Sequence, residues 1–198
     1  MVDGHTARHL FHLIAGCVAP LLGLALPRKA LLPFFGAVAL IFVSVETARL
    51  FYRPFNRWLA SLFRPVSQAF KAGESVRPIG STFFLVASFL NYLLFPRDIA
   101  VAALFFTAVG DAAAAMVGER YGRMRLGRKS IEGSVAFFAS AAVVGAILIR
   151  FGLRLSKVSV ALGAIVAALV ELLSTSVDDN FTVPTASAAM MSYVLRRP

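Results

Sequence analysis

Seven apolar runs, at residues 9–26, 30–48, 79–95, 99–117, 134–150, 158–173 and 182–195, succeed one another along the chain. Each approaches the ~20 residues that a helix needs to cross the hydrocarbon core of a bilayer, the last being the weakest. Gly and Ala are frequent and no run alternates for long, which argues against a membrane β-barrel built from dyad repeats. The pattern predicts an all-α fold, a polytopic transmembrane bundle of about seven helices. Between the second and third runs, Phe55, Trp58, Leu59, Leu62, Phe63, Val66 and Phe70 recur at helical spacing, with Asn56, Arg57, Arg64, Gln68 and Lys71 between them. That spacing describes an amphipathic helix in the headgroup plane, bent at Pro65, acting as an anchor or as a gate for a lipid. No internal repeat or second domain is visible, so residues 1–198 read as one integral-membrane domain. The first run lacks the processing pattern of a cleaved leader.

Composition agrees with the pattern. Apolar residues make up 59% and charged residues 15% of the chain, and mean hydropathy is +0.78; a soluble domain would be about one quarter charged. The single cysteine, Cys17, lies inside an apolar run, which excludes a disulfide framework and a cysteine-based metal site. A net charge of +10 raises the question of nucleic acid, but its placement points to topology. With a cytoplasmic N-terminus, twelve of the 20 basic residues fall inside, among them Arg8, Arg49, Arg123, Arg128 and Lys129. Nine of the ten acidic residues gather toward that same face, leaving Asp98 opposite. One end of the bundle therefore carries the chemistry.

Acidic residues in or beside membrane spans are costly unless paired or bound to a cation. Asp111 follows Gly110 and precedes four alanines; a loop with Gly118, Gly122 and Gly127 interleaved by Arg120, Arg123, Arg125, Arg128 and Lys129 leads to Ser130, Glu132 and Gly133. Glycines free backbone N–H groups to approach phosphate oxygens, and Arg and Lys neutralise them. A carboxylate at each end of such a loop suits Mg²⁺, which binds through one or two carboxylates plus substrate phosphates. Asp178, Asp179 and Asn180 form a second acidic group, readable as a helix cap or as metal ligands. Glu46 and Arg49, at i and i+3, make either a helix-surface pair or part of a site. His12 lies one turn after Arg8, and three histidines without ligand spacing make no zinc site. Glu171, deep in the sixth span, is expected to pair with a basic residue and not to be catalytic.

Gly110-Asp111 through Gly118 and Tyr121-Gly122, then Arg128-Lys129-Ser130-Ile131-Glu132-Gly133-Ser134, resembles the signature of the polyprenol kinase family, which includes dolichol kinases, phytol kinases and CTP-dependent diacylglycerol kinases. Arg8-His9-Leu10-Phe11-His12, Glu46-Thr47-Ala48-Arg49, Gly73-Glu74 with Pro78-Ile79-Gly80, and Asp178-Asp179-Asn180-Phe181-Thr182-Val183-Pro184 resemble it in the same order, so the likeness covers nearly the whole chain. The central and Asp-Asp-Asn motifs are fairly specific, the Glu-x-x-Arg and Arg-x-x-x-His pieces weak. A related central motif occurs in the longer phosphatidate cytidylyltransferases, which carry a different C-terminal acidic signature.

The resemblance implies a single catalytic domain that moves the γ-phosphoryl of a nucleoside triphosphate, commonly CTP, to a lipid alcohol. It implies Mg²⁺ held by Asp111 with Asp178 and Asp179. Lys129 and Arg128 would grip phosphates, Ser130, Gly133 and Asn180 would bond the nucleotide, and Glu132 would orient Lys129 or join the metal shell. Arg8 and His12 are nucleotide-side candidates; Glu46, Arg49 and Glu74 are weaker ones. No nucleic-acid partner is expected, and the oligomeric state is open. The site is expected to face the cytoplasm, at the plasma membrane of a prokaryote or the endoplasmic reticulum of a eukaryote. Cytidylyl transfer to phosphatidate and a small ion-coupled transporter are the contrasting functions. Against transport, the acids cluster at one face instead of crossing the midplane.

Overall fold

A computed structural model describes residues 4–62, 79–174 and 178–196. Every apolar run becomes a helix. In chain order they are α1 (Gly4–Ala25), α2 (Arg28–Phe51), α3 (Arg53–Leu62), α4 (Gly80–Leu94), α5 (Arg97–Tyr121), α6 (Ile131–Arg150), α7 (Lys157–Leu173) and α8 (Asp179–Leu195). By length and composition α2, α5 and α6 are sufficient to cross a membrane, while α4 and His12–Ala25 of α1 are shorter apolar segments. The amphipathic segment starts as predicted with α3, a separate short helix; its continuation past Leu62, the expected bend at Pro65 and Glu74 lie outside the described residues.

Helix α5 is the axis of the molecule, with α1, α4, α6, α7 and α8 packed about it. Ile99 through Leu104 are buried on every side, the expected state of a helix apolar all round. Small residues let its neighbours approach. A Cβ on Gly16 of α1 would come within 2.9 Å of Ala108, and one on Gly110 within 2.5 Å of the Phe137 ring on α6. This is close small-residue packing of the kind membrane helices use in place of a hydrophobic drive between them. Large apolar side chains that face outward, including Leu40, Ile41, Ile147 and Leu169, mark the surface such a bundle offers to lipid.

Successive helices alternate in direction, so their ends fall into two sets. At one end, charged side chains close helix termini. Arg97 donates to Gly23 O and Leu24 O at the end of α1, Arg28 donates to Leu93 O at the end of α4, and Asp98 accepts Arg154 N–H. The two arginines satisfy carbonyls that a helix end leaves unpaired. The opposite end gathers the end of α2, the starts of α4, α6 and α8, and the end of α7. It also holds a feature the hydrophobic pattern did not predict: β1 (Arg125–Leu126) pairs antiparallel with β2 (Lys129–Ser130) in a minimal hairpin. Gly127 turns it with φ +63°, and among the described residues no non-glycine residue takes a positive φ. A positive φ at the first turn residue and not at the second, Arg128, is the pattern of a type II′ turn.

Candidate active site at the acidic end of the bundle

The hairpin delivers Lys129 and Ser130 to opposite sides, as strand alternation requires. Ser130 is buried and caps α6: its Oγ accepts Gly133 N–H at 3.1 Å. Three glycines crowd around that hydroxyl, since a Cβ on Gly118, Gly122 or Gly133 would come within 2.9–3.0 Å of it. The glycines read as a phosphate-binding loop therefore serve mainly close packing of α5 on the start of α6. Gly127 alone of the four stands clear, for a Cβ placed there would meet nothing within 4 Å. Gly133 N–H and Ser130 Oγ are already bonded to each other.

Lys129 points inward. Its Nζ donates to Asp179 Oδ2 at 2.9 Å and to Glu171 Oε1, and Glu171 Oε2 accepts Ser134 Oγ–H at 3.2 Å. Glu171 is 3% exposed, and the expectation that it pairs with a basic residue holds. The ion pair nevertheless puts it in the site, where sequence reasoning had not counted it. Burial alone would make the Lys129 ammonium easier to deprotonate, but the Asp179 charge and the bonds to both carboxylates hold it above the usual lysine range. Two of its three donors are used, and one remains.

Asp111 lies ten residues before the end of α5, about 15 Å along the helix. Its Oδ1 is sequestered and has no hydrogen-bond partner, an arrangement that is costly for a carboxylate without a cation. Asp179, Lys129, Glu171 and Asp178 all lie within electrostatic reach of it. Asp179, Glu171 and Asp111 thus share one ammonium, with Asp178 also within electrostatic reach of Asp111. Asp178 caps α8, its Oδ1 accepting Asn180 N–H at 3.0 Å and Asn180 Nδ2–H at 2.7 Å. The cap reading of this acidic pair therefore holds for Asp178, while Asp179 bonds Lys129. Among the described residues no three acidic, histidine or cysteine groups form a ready cage. The orphaned oxygen and the excess negative charge fit the sparse protein ligation typical of Mg²⁺, which takes one or two carboxylates and completes its shell with phosphate and water.

The other motifs reach the same end. Glu46 and Arg49 form an ion pair with each residue 7% exposed, so it is buried and not a helix-surface pair. Glu46 Oε1 also accepts Ile79 N–H at 3.1 Å, at the start of α4. The next residue, Gly80, leaves room for Asn180, whose Nδ2 would sit 2.7 Å from a Cβ there. His12 is in an exposed position on α1. The antiparallel matches of Gly16 with Ala108 and Gly23 with Val101 set a register that brings His12 level with Ala112, and the Arg8 backbone level with Met116. The Arg8 side chain lies outside the described residues. Glu132 accepts Arg123 N–H and Met124 N–H, both at 3.1 Å, and so ties the basic loop to α6 instead of touching Lys129. Arg123, Arg125 and Arg128 lie in and beside the hairpin, all three exposed.

No family model and no solved structure matches the sequence. An uncharacterized protein of Rickettsia prowazekii is 26% identical over 98% of this chain and 97% of its own length. A Saccharomyces cerevisiae protein named CTP-dependent diacylglycerol kinase 1 is 25% identical over 85% of this chain and 65% of its own. One from Triticum aestivum, named probable phytol kinase, chloroplastic, is 31% identical over 64% and 47%. The chain spans about half to two thirds of the length of these two kinases. The motifs and these relatives agree: the chain is distantly similar to proteins named as lipid kinases, at 25% and 31% identity.

Proposed function

We propose that this protein is a lipid-alcohol kinase that transfers the γ-phosphoryl group of a nucleoside triphosphate, CTP in the first instance, to the hydroxyl of a polyprenol, phytol-type alcohol or diacylglycerol. The observation that carries this reading is the orphaned carboxylate oxygen of Asp111, within α5, facing the Asp179–Lys129–Glu171 ion pairs. Phosphoryl transfer asks a protein mainly to position in-line oxygens and neutralise charge. Asp111 and Asp179, with Asp178 in support, would hold Mg²⁺, which would supply that neutralisation of phosphate charge. Lys129, with one donor left, reaches a phosphate oxygen, and Arg128 approaches from the exposed side of the hairpin. Asn180 holds Asp178 and the start of α8 in place. The lipid hydroxyl oxygen forms a bond to the γ-phosphorus as the bond to the β–γ bridging oxygen breaks, and a carboxylate of the cluster takes the hydroxyl proton. In this reading seven helices cross the membrane with α3 at the interface, and the acidic end faces the cytoplasm, where nucleotide is present.

Product identity tests the reading. A kinase releases a nucleoside diphosphate and a phosphorylated lipid. Release of pyrophosphate with phosphatidate as acceptor would establish cytidylyl transfer instead, and ion flux without nucleotide consumption would establish transport.

A further inference from the structure

Beside the site, a groove of about 370 Å³ runs between α2 and α4 and ends against the start of α8. Its walls are Val43, Thr47 and Leu50 of α2, Phe83 and Val86 of α4, and Phe181. The Thr47 hydroxyl is bonded to Val43 O in its own helix, so that wall offers no unsatisfied donor. Glu46 and Thr82 complete the lining, and Glu46 is engaged with Arg49 and Ile79. Glu46, in the lining, accepts Ile79 N–H, and the adjoining Gly80 lies against Asn180 and Asp178, so one end of the groove borders the start of α8 at the acidic end of the bundle.

The groove also has a direction. Val43 to Leu50 is two turns, about 10 Å along the helix axis, leading from the acidic end toward the apolar middle of α2. On that stretch α2 is the least enclosed of the three long apolar helices, with Phe42 and Val43 each 41% exposed. Among the described residues the groove therefore lies alongside the lipid-facing surface and parallel to the helices, as the hydrocarbon chain of a bilayer lipid lies. Its volume falls at the lower end of the roughly 300–1,000 Å³ of small-molecule sites. If a methylene occupies about the 30 Å³ of a water molecule, the groove takes roughly a dozen chain carbons.

We infer that this groove seats the hydrocarbon chain of the lipid alcohol, with the hydroxyl at its Glu46–Phe181 end, toward Asn180 and Asp178. The inference rests on the lipid-kinase reading for the identity of the occupant. Val43, Phe83 and Val86 then set how much chain bulk is accepted, and α2 and α4 form the side door from the bilayer.

Photocrosslinking tests the groove independently of catalysis. The full chain in phosphatidylcholine nanodiscs is irradiated with a phytol-type alcohol carrying a chain diazirine, and the labelled peptides are mapped. Label is expected on the stretches holding Val43 and Phe83–Val86, and to be lost in Val86→Trp and in Val43→Trp, whose exposed position tolerates bulk. Leu169→Trp, on the outward face of α7, keeps it. Label spread evenly over outward faces such as those of Ile147 and Leu169, or unchanged by both groove variants, overturns the inference. In an active preparation the groove variants also raise KM for the alcohol by roughly tenfold or more with the nucleotide KM unchanged; a wild-type protein that labels in the groove and transfers no phosphate refutes the kinase reading alone.

Discussion

Asp111 and Lys129 show why residue type alone does not reveal a role. Asp111 has a sequestered oxygen without a donor, so Asp111→Asn removes charge from an acid-rich cluster without breaking a hydrogen bond at that oxygen. The variant is expected to keep or slightly raise its melting temperature in detergent while turnover falls by about a hundredfold or more, the size seen when an electrostatic transition-state contact is lost. A parallel loss of folding would mark Asp111 as structural. Lys129 behaves in the opposite way. Its removal strands Glu171, whose side chain is 4% exposed, and breaking a buried pair costs about 3–5 kcal/mol. Lys129 itself is 31% exposed, which places Lys129→Met near the lower figure. Adding Glu171→Gln to it should recover part of the lost thermal stability; no recovery would mean the two do not act as a pair. Because its folded pKa is raised, the Lys129 pair stabilises below the ordinary lysine range of about 10.4 and fails only as pH rises through the folded value. Activity profiles near neutrality should show no step from it.

At the scale of elements, the seven apolar runs were legible as helices because each is apolar over most of its length, a signal that needs no knowledge of its neighbours. The hairpin was not, because two two-residue strands have no periodicity to read; the Gly127-Arg128 turn between Leu126 and Lys129 was its sole local trace. The loop glycines were legible as important but not as to why. Gly118 and Gly122 hold space for Ser130, a contact that exists only once α5 meets the start of α6. Glu171 illustrates the same limit, since its partner stands 42 residues away in sequence. Two glycine substitutions separate these roles. Gly110→Leu drives a side chain into Phe137 and should cost about 1–3 kcal/mol by overpacking, read as a lowered melting temperature. Gly127→Ala has room for its methyl but carries the left-handed strain, about 1–2 kcal/mol, confined to the hairpin. It should reduce turnover with little change in global melting, and equal melting losses for both would refute the distinction.

Across the whole molecule, charge is divided by purpose. One end uses Arg28 and Arg97 to close helix termini and Asp98 to hold the Arg154 backbone of the α6–α7 connection; the other concentrates acids around Lys129 and surrounds them with arginines. The distribution of acids along the sequence had already placed Glu46, Asp111, Glu171 and Asp178–Asp179 toward one face, and all but their mutual contacts could be anticipated from it. The proposed orientation is checked with Arg123→Cys in a Cys17→Ala background. A membrane-impermeant thiol reagent should label it in inside-out vesicles and not in right-side-out ones, and the reverse would place the acidic end on the outer face.

The central claim is that this acidic end moves a phosphoryl group onto a lipid alcohol. Purified protein would be incubated with Mg²⁺, γ-labelled CTP or ATP, and in turn diacylglycerol, phytol, geranylgeraniol and dolichol, with Asp111→Asn alongside. The account predicts label in at least one lipid, absent from the variant. No label in any lipid, together with a labelled lipid formed from α-labelled CTP and phosphatidate, would contradict it.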